Sequence, residues 1–216
     1  MDERNHHLEA IDDIKKLMHQ SSRFISLSGW SGVAAGLCAL VGAAYTGGRI
    51  ECWKRGDCAF GTIPPGSESE TLQYTLVLIA LLTFFLAFTS AFFFTYARSR
   101  KIGLPLWGHT SRRVLVAVAV PMIAGGLLIW RMMDFGFFGL VAPACLLFYG
   151  LALVNASKFT LPEIRYLGYC QLVLGIINLW VIGYGLYFWA MGFGVLHIVY
   201  GMVMWNKYER NQEGGA

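Results

Sequence analysis

The charged residues of this chain stand in short clusters, and between the clusters run apolar stretches of about 20 residues. Coiled at roughly 1.5 Å per residue, such a stretch matches the hydrocarbon layer of a bilayer, about 30 Å thick. A water-soluble fold intersperses its charges instead, because each amphipathic element needs a wet face. Only 14% of the 216 residues are charged and 56% are hydrophobic, more apolar surface than a soluble domain of this length can hide. The expected fold is an all-α integral membrane protein.

The apolar runs place spans at 24–46, 72–96, 112–131, 136–155, 163–182 and 187–206, six helices forming three sequential hairpins. Residues 47–71 form the one long outer loop and 207–216 a tail. The opening 23 residues are polar, and no small-residue cleavage site follows the first run, so the first span is expected to stay as an uncleaved anchor. Within 1–23, Leu8, Ile11, Ile14, Leu17 and Met18 recur every three to four residues, which predicts an amphipathic helix. It carries both charge signs, so it suits packing under the membrane domain or on a partner better than a purely lipid-facing role.

Two sequences fit the S/T-x-x-E capping box, Ser67 with Glu70 and Thr160 with Glu163, and Pro162 suits a helix start. Pro121 and Pro143 fall inside the third and fourth spans and predict kinks. Lys and Arg set the orientation. With six spans, 13 of the 17 lie on the side that holds both termini and 4 on the other. The positive-inside rule makes the richer side cytoplasmic. The expected location is a cytoplasmic membrane of a bacterium.

The last four spans carry an apparent duplication. Lys101-Ile-Gly-Leu-Pro105 precedes the third span as Lys158-Phe-Thr-Leu-Pro162 precedes the fifth. Phe148-Tyr-Gly-Leu151 aligns with Val199-Tyr-Gly-Met202, and Asn155 with Asn206. Such a pattern predicts parallel hairpin repeats.

Few residues carry chemistry. His197 sits near the middle of the sixth span, where an ionisable side chain is costly and needs a partner. Gly194 and Gly201 flank it at i−3 and i+4. That face suits either a close helix crossing or a flat macrocycle, so a chlorophyll-type pigment liganded by His197 stays open beside a plain helix–helix contact. Asn178 and Gln171 on the fifth span are the expected bonding partners, with Tyr200 nearby. Ser28, Gly32 and Gly36 line one face of the first span, a stripe along which another helix packs closely. The second span is aromatic instead, from Phe84 to Phe94.

Cys52 and Cys58 in the outer loop are spaced to close a small disulfide ring. Cys38, Cys145 and Cys170 read as packing residues within spans. Arg131 and Asp134 flank the outer turn as a local ion pair. No Asp, Glu, Lys or Arg stands at the centre of a span, which argues against proton-coupled transport. No nucleotide, metal or acid–base motif points to an enzyme. The net charge of +4 follows from positive-inside placement rather than a basic stripe, so nucleic acid is not an expected partner.

In span count and glycine-rich hairpins over residues 24–206 the layout resembles the small six-span bacterial membrane proteins of the HdeD acid-resistance group. No site residue or activity is carried over from that likeness. The residues themselves favour a non-catalytic accessory or scaffold subunit. Its partners would be the bilayer and other membrane subunits or itself. The alternative is a small transporter or channel for a neutral solute, lined by Asn178, Gln171, His197 and Tyr200.

Overall fold

Side chains of opposite character have changed places relative to a soluble protein. The buried positions hold mostly small or polar residues, among them Ala39, Ala117, Ala152, Ser31, Ser99, Gln171, Asn178 and His197. The large apolar side chains face outwards, with Phe85 60% and Trp180 86% exposed. A soluble monomer rarely shows contiguous apolar surface of such extent. In lipid the arrangement is natural, because hydrophobic burial gives helices no reason to associate and close backbone packing replaces it.

The computed structural model describes residues 28–55, 68–101, 103 and 108–210. These form helices α1 (Gly29–Arg55), α2 (Glu68–Lys101), α3 (His109–Asp134), α4 (Val141–Ala156), α5 (Glu163–Trp180) and α6 (Gly185–Tyr208). A 3-10 turn, Phe138–Leu140, leads into α4. The described residues contain no strand. Five helices are long and apolar enough to cross a membrane; α5, with Glu163 and Arg165 in its first turn, is the one outside that set. The expected amphipathic helix at 1–23, the Ser67 capping box and Cys58 lie outside the described residues.

Several expectations need correction. α1 runs on to Arg55, so residues 47–55 of the expected loop are helical and Cys52 is part of that helix. An exposed Arg55–Glu51 pair at i,i+4 supports this last turn. Pro143 stands in the first turn of α4, which begins at Val141, where a proline has no helical hydrogen bond to lose. Pro121 does sit inside α3. Its missing N–H leaves the carbonyl of Ala117 without the usual partner, and Asn155 Nδ2 of α4 donates to that oxygen at 2.9 Å. The Thr160–Glu163 capping box does not form. Thr160 Oγ1 donates back to Ala156 O at 3.0 Å, and Pro162 occupies the N-cap without a side-chain bond. Cys170 faces outwards rather than packing.

The helices alternate in direction, and polar bonds gather at one end. Glu209, just beyond α6, accepts from the Gly29 N–H at the start of α1 (2.5 Å) and from Arg98 at the end of α2 (2.6 Å). Ser28 Oγ donates to the same carboxylate. Glu163, at the start of α5, pairs with Lys207 and accepts from Tyr208 Oη at 2.7 Å. Arg165 Nε reaches Ser157 Oγ between α4 and α5. At the opposite end Arg131 pairs with Asp134 at 3.3 Å and lies over the Phe135 ring, the local ion pair expected there. The α5–α6 turn depends on Gly183, whose φ of +100° is a conformation L side chains rarely adopt.

Packing departs from independent hairpins. α5 packs chiefly on α4, α6 chiefly on α1, and α2 chiefly on α1. The α1–α6 crossing uses the small-residue faces read from the sequence. A Cβ on Gly36 would stand 2.7 Å from Gly194 O, and one on Gly201 would stand 2.6 Å from Gly29 O.

Candidate functional site

The polar centre of the molecule is built around an irregularity in α6. Residues Ala190–Val195 form a π-helical turn, in which the Leu196 N–H reaches back five residues to Met191 O. Such widened turns are rare and concentrate at functional positions. Here the turn presents the carbonyl of Gly192 sideways to its neighbours. It accepts from Gln171 Nε2 of α5 at 2.8 Å and meets His197 Nδ1 at 2.9 Å.

That carbonyl fixes the histidine. A carbonyl oxygen only accepts, so His197 Nδ1 must carry a proton. In an apolar interior the uncharged imidazole is strongly favoured, which leaves Nε2 as an acceptor. Tyr149 Oη of α4 stands 2.7 Å from Nε2 and donates to it. The rings of Tyr149 and Phe193 pack beside the imidazole, at centroid distances of 5.4 and 6.0 Å. Trp189 continues the cluster against Phe193 at 5.1 Å. One buried network therefore joins α4, α5 and α6.

Gly192 leaves the space that two neighbouring side chains occupy. A Cβ there would stand 2.5 Å from Gln171 Oε1 and would also strike Leu146. The glycine lets α5 approach the turn closely enough for the amide to reach the carbonyl.

Of the residues expected to meet, His197 and Gln171 do so, through Gly192 O rather than directly. Gly194 and Gly201 serve the crossing with α1. Asn178 is not part of the network: fully buried, it donates to Val181 O at 3.2 Å and secures the end of its own helix. Tyr200 makes no bond to His197, and its buried hydroxyl has no partner among the described residues. Sequence reasoning passed over Tyr149. The available signal was its place in the repeated Tyr-Gly motif, because a buried tyrosine hydroxyl needs a partner.

The arrangement bears on the pigment reading. A macrocyclic metal would need a free imidazole nitrogen, and both are engaged within the protein. The glycine face that suited a macrocycle is filled by α1. In this structure His197 joins α6 to α4 through Tyr149. Among the described residues no three His, Cys, Asp or Glu side chains gather where a metal could bind.

Fold and site together define an all-helical chain with apolar helices suited to a membrane and a polar network inside the bundle. No protein-family model, curated protein or solved structure matches the chain. The likeness to the HdeD group therefore rests on span count and glycine-rich hairpins alone.

Proposed function

We propose that this chain is a non-catalytic accessory or scaffold subunit of a membrane assembly. In this reading it crosses a bacterial cytoplasmic membrane six times, with both termini inside. The observation that carries the reading is how the interior polar groups are used. His197, Tyr149, Gln171 and the Gly192 carbonyl bind one another, which makes them a fastening between helices. The outer surface is then where the chain would act. α2 packs chiefly on α1 and presents a row of rings to its surroundings, with Phe84 and Phe88 stacked at 6.2 Å and Phe92 and Tyr96 at 6.5 Å. Rigid aromatic faces of this kind suit contact with another membrane helix or a second copy of this chain. A disulfide from Cys52, near the end of α1, to Cys58 belongs to the same proposal.

One observation favours the alternative, a small transporter or channel for a neutral solute. Gln171 Oε1, Asn178 Oδ1 and Tyr200 Oη are buried without partners among the described residues, and a solute or water could meet them. A single preparation separates the two readings. Purified gently from its native membrane, a scaffold subunit brings other membrane chains or a second copy in fixed ratio. A lone monomer whose liposomes swell in a neutral solute, and stop doing so in Asn178→Leu, would reverse the choice.

A further inference from the structure

A groove of about 570 Å³ opens between the first half of α3 and the region where α4 ends. Its wall changes character along one stripe of α3. His109, Arg112 and Arg113 form the mouth, and Val116 and Val120 continue below them. Phe159, beyond α4, closes the far side, with the Arg113 guanidinium 5.9 Å above its ring. From His109 to Val120 the stripe covers 11 steps, about 16 Å along the helix axis, or roughly the depth of one bilayer leaflet.

The cationic mouth is uncompensated. Arg112 and Arg113 are exposed, and neither pairs with a carboxylate among the described residues. By contrast Arg55, Arg98, Arg131 and Lys207 each have an acidic partner. The start of α3 adds to the positive field, since its first turn holds no acidic residue and Gly108 offers no side-chain cap. Anionic headgroup above and a single apolar tail below is the ligand such a wall complements.

We propose that this groove binds an acidic phospholipid, with its phosphate between Arg112 and Arg113 and an acyl chain along Val116, Val120 and Phe159. The assignment rests on reading the chain as membrane-spanning, because only then is the stripe held at leaflet depth. The charge argues for an anion and the apolar length for a tail, so neither inorganic phosphate nor a zwitterionic lipid satisfies both halves.

The test uses the full chain in nanodiscs of phosphatidylcholine, titrated with phosphatidylglycerol and read by native mass spectrometry. Phosphatidylglycerol should be retained in preference to phosphatidylcholine. Each arginine near a membrane surface is worth about fivefold in affinity, so Arg112→Gln/Arg113→Gln should weaken retention by about 25-fold. Val116→Trp, which fills the groove without altering charge, should weaken it too. Arg131→Gln removes a cation at the other end and should leave it unchanged. Equal retention of both lipids, or no effect of the double variant in protein that melts normally, overturns the proposal. So does inorganic phosphate that displaces phosphatidylglycerol from the groove, which would mark an anion site without a tail. Extraction of the chain by alkaline carbonate would instead overturn the membrane reading itself.

Discussion

Replacing Tyr149 by Phe keeps a ring beside Phe193 and His197 but removes the hydroxyl that His197 Nε2 accepts. A buried nitrogen left unsatisfied costs about 1–3 kcal/mol, so Y149F should lower the thermal stability of the detergent-solubilised protein. Removing both partners together, in Y149F/H197F, should cost less than the two single losses summed, because no polar group is then stranded. Gly192→Ala should destabilise by a similar amount, about 1–3 kcal/mol, through its clash with Gln171 and Leu146. Melting curves at wild-type values for both Y149F and G192A would show that the network holds nothing together. His197 and Gln171 were legible in the sequence because a polar side chain within a span demands a partner. Tyr149 was not, since its ring passes for apolar. The π turn left no trace in composition, because its carbonyl is drawn out by side chains on two separate regions of the chain. Asn178 was misplaced for a simple reason: it lies two helical turns beyond Gln171, about 10 Å along α5, and serves the helix end instead.

At the scale of elements, small residues were the reliable signal. The Ser28, Gly32 and Gly36 stripe and the Gly194 and Gly201 pair do meet, and the meeting of α1 with α6 joins the first helix to the last. Helix ends were harder to read. Gly47 and Gly48 look like a stop after Thr46, yet α1 continues to Arg55. A glycine within a helix costs only about 1 kcal/mol, too little to break a helix that neighbouring turns support. Some ends are also secured by bonds between distant residues, which no local pattern reveals. Glu209 is the clearest case, capping α1 from 180 positions away while paired with Arg98. Glu209→Ala removes the cap and one side of a largely buried ion pair together. It should destabilise the protein by on the order of 3 kcal/mol. Glu209→Gln keeps an acceptor for the Gly29 N–H and should lose clearly less. Equal melting temperatures for the two variants would show that the charge pair, and not the cap, dominates.

For the whole molecule, the strongest message of the sequence concerned solvent, and the distribution of side chains agrees with it: small and polar within, large and apolar without. The helical character was legible, since each long apolar run became a helix. Which helices would be neighbours was not legible, because lipid-facing and helix-facing surfaces draw on similar apolar residues. The proposed six crossings depend most on α5. Its 18 residues measure about 27 Å, close to the hydrocarbon thickness, but Glu163 and Arg165 make its first turn polar. Both can remain at the membrane surface: Glu163 binds Lys207 and Tyr208, and Arg165 reaches back to Ser157. Single cysteines introduced at three exposed sites, in a background without native cysteines, can decide the matter. An impermeant thiol reagent should label Asp134→Cys and Tyr184→Cys on intact cells, and Lys158→Cys only after the membrane is opened. Labelling of Tyr184→Cys only after opening, with Asp134→Cys still accessible, would mean that α5 does not cross. The end of α6 would then emerge opposite the start of α1, which the bond between Glu209 and Gly29 forbids. The labelling pattern and the Glu209 contact therefore stand or fall together.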